Sequence, residues 1–120
     1  MRILVVDDSS VMRKIVSRGL RQAGFKIDEI LEAENGQEGL DVQKAQKCNL
    51  ILSDWNMPKM DGLTFVKELR KSGDNTPIVM VTTEGGEGKV NEAVKSGANG
   101  HVKKPFTPET LQEVLGPFFK

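Results

Sequence analysis

Five apolar runs of strand length alternate with five stretches of helical periodicity, and this alternation limits the possible folds more than anything else in the chain. The runs are Ile3–Val6, Ile27–Ala33, Leu50–Ser53, Ile78–Thr82 and Gly100–Lys103. Strands apolar at successive positions are buried on both faces, and a helix after each strand returns the chain to begin a parallel neighbour. The expectation is one α/β domain over residues 1–120: a doubly wound five-stranded parallel sheet with five helices.

The helical stretches carry their own signals. Val11, Met12, Ile15, Val16, Leu20 and Ala23 trace one face of a helix closed by Gly24, with Ser9 or Ser10 as its cap. Residues 36–46 carry the weakest pattern, with Gly39 inside and Leu40, Val42 and Ala45 to bury. Leu63, Val66 and Leu69 mark a third helix ending near Ser72-Gly73. Val90, Ala93 and Val94 mark a fourth ending at Gly97. Leu111, Val114, Leu115 and Phe118 mark the last, which Thr107-Pro108-Glu109 starts with a capping hydroxyl, a first-turn proline and an acid. Pro117 removes a helix hydrogen bond, so this helix should end or kink at Gly116-Pro117.

Composition excludes several function classes. Seventeen basic and seventeen acidic residues give a formal net charge of +0, so bulk charge supplies no pull toward nucleic acid or a membrane surface. No apolar run approaches the roughly 20 residues that span a bilayer. The chain enters an apolar strand within three residues without a signal-peptide plan, and a cytoplasmic location is expected. A single cysteine, Cys48, allows neither an internal disulfide nor a thiolate cluster, and reads as a small hydrophobe at the core edge. A single histidine, His101, cannot build a histidine metal site or a Ser-His-Asp relay.

In open parallel sheets, ligands bind beyond the carboxyl ends of the strands. There the chain places Asp7-Asp8 after the first strand, Asp54 after the third, Thr82-Thr83 after the fourth and Lys103-Lys104-Pro105 after the fifth. An acidic strand end alone reads equally as a solvated charge or a helix cap. Three carboxylates on one rim repel one another, so some are protonated or a cation sits among them. Oxygen donors without histidine or cysteine suit Mg²⁺, with Mn²⁺ as an alternative. A carboxylate beside such a cation can attack phosphorus to give an aspartyl phosphate. Lys104 would then neutralise the transferring group while Thr82 donates a hydrogen bond.

Asp7-Asp8 after Ile3-Leu4-Val5-Val6, the segment SDWNMPKMDG, Thr82 after Met80-Val81, and Lys104-Pro105-Phe106 together resemble the receiver domain of two-component response regulators. The likeness spans the whole chain in order, and SDWNMPKMDG with VKKPFT is similar to the single-domain chemotaxis branch. The resemblance implies the flavodoxin-like strand order 2-1-3-4-5. It implies that Asp54 accepts a phosphoryl group from a phosphohistidine of a sensor histidine kinase. Asp8, Asp54 and the backbone carbonyl of Asn56 would hold Mg²⁺, with Asp7 acting through a coordinated water. Lys104 would contact the phosphoryl group and Thr82 would move toward it. The Lys104-Pro105 bond would be cis, and Trp55 would lie exposed near the metal and report on it by fluorescence.

Three features depart from the family pattern. His101 replaces the usual switch aromatic, and the residue fits a half-exposed strand position as well as a switch. Lys103 puts a charge where an apolar residue is common. Glu84-Gly85-Gly86-Glu87-Gly88 makes the loop after the fourth strand entropically loose, and it is expected to carry the Thr82 movement outward and to be poorly ordered without phosphate. Asn56 and Glu84 flank the path of the hydrolytic water and fit a rate-tuning role or that of solvated loop residues. Pro58 and Gly62 shape the turn and the next helix entry.

Signalling would proceed by binding, through an output face that includes Val90, His101, Lys103 and Phe106. The implied partners are a chemotaxis-type sensor kinase, the flagellar motor switch and a phosphatase, acting on a monomer. The chain would not be an enzyme beyond catalysing its own phosphoryl transfer and dephosphorylation. A phosphorelay intermediate passing the group to a histidine phosphotransfer domain keeps the same chemistry. A haloacid-dehalogenase-type phosphatase would want Asp-x-Asp after the first strand and a cap domain. A pseudo-receiver would lack the acceptor or the lysine, and both are present.

Overall fold

The computed structural model describes residues 1–55, 57, 59–82, 87–104 and 106–119, with residues 87–90 described by their backbone. Five strands, β1 (Arg2–Val6), β2 (Glu29–Ala33), β3 (Leu50–Asp54), β4 (Ile78–Thr82) and β5 (Gly100–Lys103), form one parallel sheet in the order β2-β1-β3-β4-β5. The helices α1 (Ser10–Gln22), α2 (Gly36–Gln46), α3 (Gly62–Lys71), α4 (Glu87–Ser96) and α5 (Pro108–Leu115) follow the strands in turn. Order and class are those expected. The chain reverses direction across the sheet between β1 and β3, and there the carboxyl ends of the strands open a crevice.

Successive residues of β1, β3 and β4 feed two separate cores, which is why these strands read as continuous apolar runs. Leu4, Val6, Ile51, Ile78 and Met80 face α3 and α4, with Phe65, Val66, Leu69 and Ala93 packed on them. Ile3, Val5, Leu50, Leu52, Val79 and Val81 face the opposite way, against Val16 and Leu20 of α1 and Leu111 and Leu115 of α5.

Ser9, Asn35, Asp61 and Thr107 cap α1, α2, α3 and α5 by accepting from backbone N–H groups of the first turn. The last helix stops at Leu115, and Gly116–Phe119 continue as a 3₁₀ turn, in accord with Pro117.

The apolar faces need correction at several positions. Val11 is 64% exposed and Ile15 46%, while Val16, Gly19, Leu20 and Ala23 make the buried stripe of α1. Residues 11 and 15 lie one position, about 100°, round from 12 and 16, enough to leave the sheet. In α2 the buried residues are Gly36, Gly39 and Gln43, with Ala45 exposed, because the helix approaches the core through its glycines. Val94 of α4 is exposed as well. Cys48 is buried, as expected, and burial raises its thiol pKa.

Candidate phosphoacceptor site

The crevice holds the acids and the lysine together. One carboxylate oxygen from each of Asp7, Asp8 and Asp54 lies within 4.8 Å of the others. Lys104 Nζ sits 3.3 Å from Asp7 Oδ2 and 3.4 Å from Asp54 Oδ1. Residues 97 and 50 positions distant from Lys104 in sequence therefore meet at one point.

Each group is held by its own element. The Asp7 N–H continues the sheet by donating to Ala33 O, and its Oδ1 accepts from Ser9 N at 2.9 Å. Arg13 donates from Nη1 to the Asp7 carbonyl at 2.6 Å and pairs through Nε with Glu32 on β2 at 2.8 Å. Asp54 Oδ1 accepts from Trp55 N at 2.8 Å as well as from the lysine, so two donors fix one oxygen of the carboxylate. Lys104 N donates to Thr82 O at 2.8 Å, which ties the lysine's backbone to the end of β4. Asp54 pairs with Val81 in register, and Thr82 is the next residue along that strand.

The electrostatics are unbalanced. Partial burial raises the Asp54 pKa; Lys104 pulls it back, and the nearby Asp7 pushes it up again. Three ionised carboxylates against one ammonium leave about two negative charges in a cleft that water only partly reaches. That deficit matches a divalent cation. The donors are hard oxygens, and their spread is close to the O···O separations of about 3–4 Å around an octahedral ion with 2.0–2.1 Å bonds. Asp7, Asp8 and Asp54 thus fit Mg²⁺.

Of the residues singled out from sequence, Asp7, Asp8, Asp54 and Lys104 converge, with Thr82 buried beside them on the same rim. Asn56, Pro58, residues 83–86 and Pro105 lie outside the described residues. So do the expectations placed on them: the Asn56 carbonyl, the roles of Pro58 and Glu84, the loose loop and the cis bond. Glu87 and Gly88, assigned to that loop, open α4 instead. Trp55 is corrected: it is 8% exposed and packs in the core on the α3 side of the sheet, while its backbone N–H donates to Asp54 Oδ1. His101 and Lys103 are exposed on β5, in register with Met80 and Thr82. Phe106 is half-buried in the other core, among the residues of α1 and α5. The Val90 side chain lies outside the description.

One contributor escaped the sequence reading, and a second, Gly62, was read there only as shaping the helix entry. Arg13 is anchored on the Asp7 carbonyl, which no motif announces. Gly62 is the first residue of α3, where a β-carbon would stand 2.3 Å from the Asp54 carbonyl oxygen, 2.6 Å from Met80 Cε and 3.0 Å from Trp55 Cα. Only glycine lets α3 start directly beneath Asp54, and its N–H donates to Trp55 O at 2.8 Å.

The chain is similar to known proteins. A chemotaxis protein CheY homolog of Campylobacter jejuni is 48% identical over 118 residues, covering 96% of this chain and 89% of the relative. Chemotaxis protein CheY1 of Helicobacter pylori is 44% identical over 96% of this chain and 94% of its own. The crystal structure of chemotaxis protein CheY4 of Vibrio cholerae superposes with a TM-score of 0.86 at 40% identity, covering 98% of this chain and 97% of that one. The family described as the response regulator receiver domain matches residues 3–116, the span from the second residue of β1 to the residue after α5. The chain belongs to the response regulator receiver domain family.

Proposed function

We propose that this protein is a single-domain response regulator of chemotaxis that takes a phosphoryl group onto Asp54 from a sensor histidine kinase, in a Mg²⁺-dependent reaction. The observation that carries this reading is the convergence of Lys104 Nζ on Asp54 Oδ1 and Asp7 Oδ2, beside a third carboxylate. The chemotaxis relatives in Campylobacter, Helicobacter and Vibrio support the pathway.

An Asp54 carboxylate oxygen attacks phosphorus, the P–N bond to the donor imidazole breaks, and the imidazole leaves with that electron pair and takes a proton from solvent. The two donors on Oδ1 hold the carboxylate so that little reorientation precedes attack. The Lys104 ammonium moves from two carboxylates to the oxygens of the transferring group, where negative charge is spread in the transition state. Bound Mg²⁺, held by Asp7, Asp8 and Asp54 with the Asn56 carbonyl, would neutralise those same oxygens.

Phosphorylation replaces a carboxylate by a group with more charge and more acceptors, which biases the surface around it. Thr82 responds first in this scheme, at the end of β4. Lys103 and His101 share its face of the neighbouring edge strand, so they and α4 form the output surface toward the flagellar motor switch. Phe106 contributes by holding the turn rather than as a free contact. The test is binding of a motor-switch peptide with and without acetyl phosphate and Mg²⁺. Affinity should rise at least tenfold on phosphorylation. Unchanged affinity, with transfer to a histidine phosphotransfer domain, would make the protein a relay intermediate instead.

A further inference from the structure

Gly19 occupies the middle of α1, where glycine is less favourable than alanine because it has more backbone freedom to lose. Its φ is not among the positive ones, so backbone conformation does not explain it. Space does. A β-carbon at Gly19 would lie 2.9 Å from Leu111 Cδ1 and 3.0 Å from Phe106 Cε1. The missing side chain is the room that the Phe106 ring and Leu111 fill between α1 and α5.

Phe106 follows Lys104 by two residues. A lysine ammonium sits on a flexible four-carbon stem, so its position depends on how firmly the root of the stem is fixed. On one side the Lys104 N–H donates to Thr82 O. On the other, the chain is held by the Phe106 ring in the slot over Gly19. The same helix also holds the acids: Ser9 at its cap donates to Asp7 Oδ1, and Arg13 donates to the Asp7 carbonyl. One rigid element therefore spaces the acid side of the cleft from its ammonium side.

We propose that Gly19 is a positioning residue for phosphoryl transfer, its absent side chain seating Phe106 so that the Lys104 ammonium is held over Asp54. This rests on the phosphoacceptor reading, in which Lys104 meets the transferring group. The carboxylates bind the cation without help from the lysine, so the inference predicts that transfer and cation binding separate.

The experiment compares wild type, Gly19→Ala, Phe106→Leu and the double variant. Mg²⁺ affinity is read by isothermal titration calorimetry, and the phosphorylation rate from intact mass with acetyl phosphate at saturating Mg²⁺. Gly19→Ala should lower the rate about tenfold with Mg²⁺ affinity changed less than about twofold. Phe106→Leu should lower it similarly. In the Leu background the alanine should cost clearly less, because one of the two side chains it meets is trimmed while Leu111 remains. A wild-type rate in Gly19→Ala, equal losses in both backgrounds, or a parallel loss of Mg²⁺ affinity would each overturn the inference. If Gly19→Ala does not fold, Phe106→Leu decides: a tenfold slower rate with intact Mg²⁺ binding supports the inference, and a wild-type rate overturns it. A wild type that gains no phosphoryl mass at all would overturn the phosphoacceptor reading, and this inference with it.

Discussion

Gly62 and Asp54 are in backbone contact: the first residue of α3 stands so close to the end of β3 that any β-carbon would fall 2.3 Å from the Asp54 carbonyl oxygen. Backbone has no rotamer to yield, so Gly62→Ala must move the helix or the acceptor. Overpacking of this kind costs about 1–3 kcal/mol. Displacing a reacting group by about 1 Å can slow its chemistry by about a hundredfold. Gly62→Ala should therefore lower Tm and slow acetyl-phosphate phosphorylation by at least about tenfold, measured by calorimetry and intact mass on the folded variant.

Asp54 makes the protein less stable in the absence of a cation. Burial holds its carboxyl above the ordinary value of 3.8, so between that value and the raised one the folded state binds more protons than the unfolded state. Stability contributed by this group is thus lost as pH rises through that window, and the penalty is complete above it. Asp54→Asn should be more stable than wild type at pH 7 in chelator, by about 1–3 kcal/mol, the usual cost of an under-compensated buried polar group. The gap should narrow as pH falls toward 3.8. Urea unfolding across pH measures it, and a gap that widened on acidification would contradict the assignment.

Mg²⁺ should remove the penalty. A ligand that binds only the folded state stabilises it by about 2.7 kcal/mol at one hundred times Kd. For a domain of this size that is a rise of roughly 10 °C in Tm. The rise should disappear with chelator and shrink in Asp8→Asn, the most exposed of the three acids.

Gln43 locks the opposite end of the molecule. Its side-chain Nε2 reaches Thr76 Oγ1 at 2.9 Å, Asp74 Oδ2 at 3.0 Å and Cys48 O at 3.3 Å, while its Oε1 accepts from Cys48 N at 2.9 Å. Burial alone would raise the Asp74 pKa, yet bonds from Thr76 and Gln43 hold it below the usual carboxylate range. Gln43→Leu leaves the Cys48 N–H unsatisfied and should cost about 2 kcal/mol with phosphorylation unchanged. Denaturant unfolding alongside the mass assay checks both halves.

The same contrast explains what the primary structure discloses. Sheet class and, to within a residue, the bounds of β1, β3 and β4 followed from apolar runs, because burial on both faces leaves no polar gap; the edge strand β2, with Glu29 and Glu32 exposed, begins two residues later than the expected Ile27. Caps at Ser9 and Thr107 were legible because their chemistry is local. Asp7, Asp8, Asp54 and Lys104 could be gathered in advance because strand ends of a parallel sheet meet at one edge. Val11 and Ile15 were misplaced because periodicity fixes the spacing of a stripe and not its centre. Gln43 reads as a solvent residue until the segment 74–76 is folded against it. Gly19 did leave a signal, an unneeded glycine within a helix, but the ring that fills its slot comes from 87 positions later in the chain. Trp55 was placed outside by likeness to relatives, whereas this chain packs it among Phe65 and Met80.

The central claim is that Asp54 captures a phosphoryl group within a cation-bound cluster. Wild type and Asp54→Asn incubated with acetyl phosphate and Mg²⁺, then weighed intact, test it directly. The account predicts one phosphoryl mass on the wild type, none on Asp54→Asn, and none on either with chelator. Equal gain in both proteins, or gain that survives chelation, would contradict it.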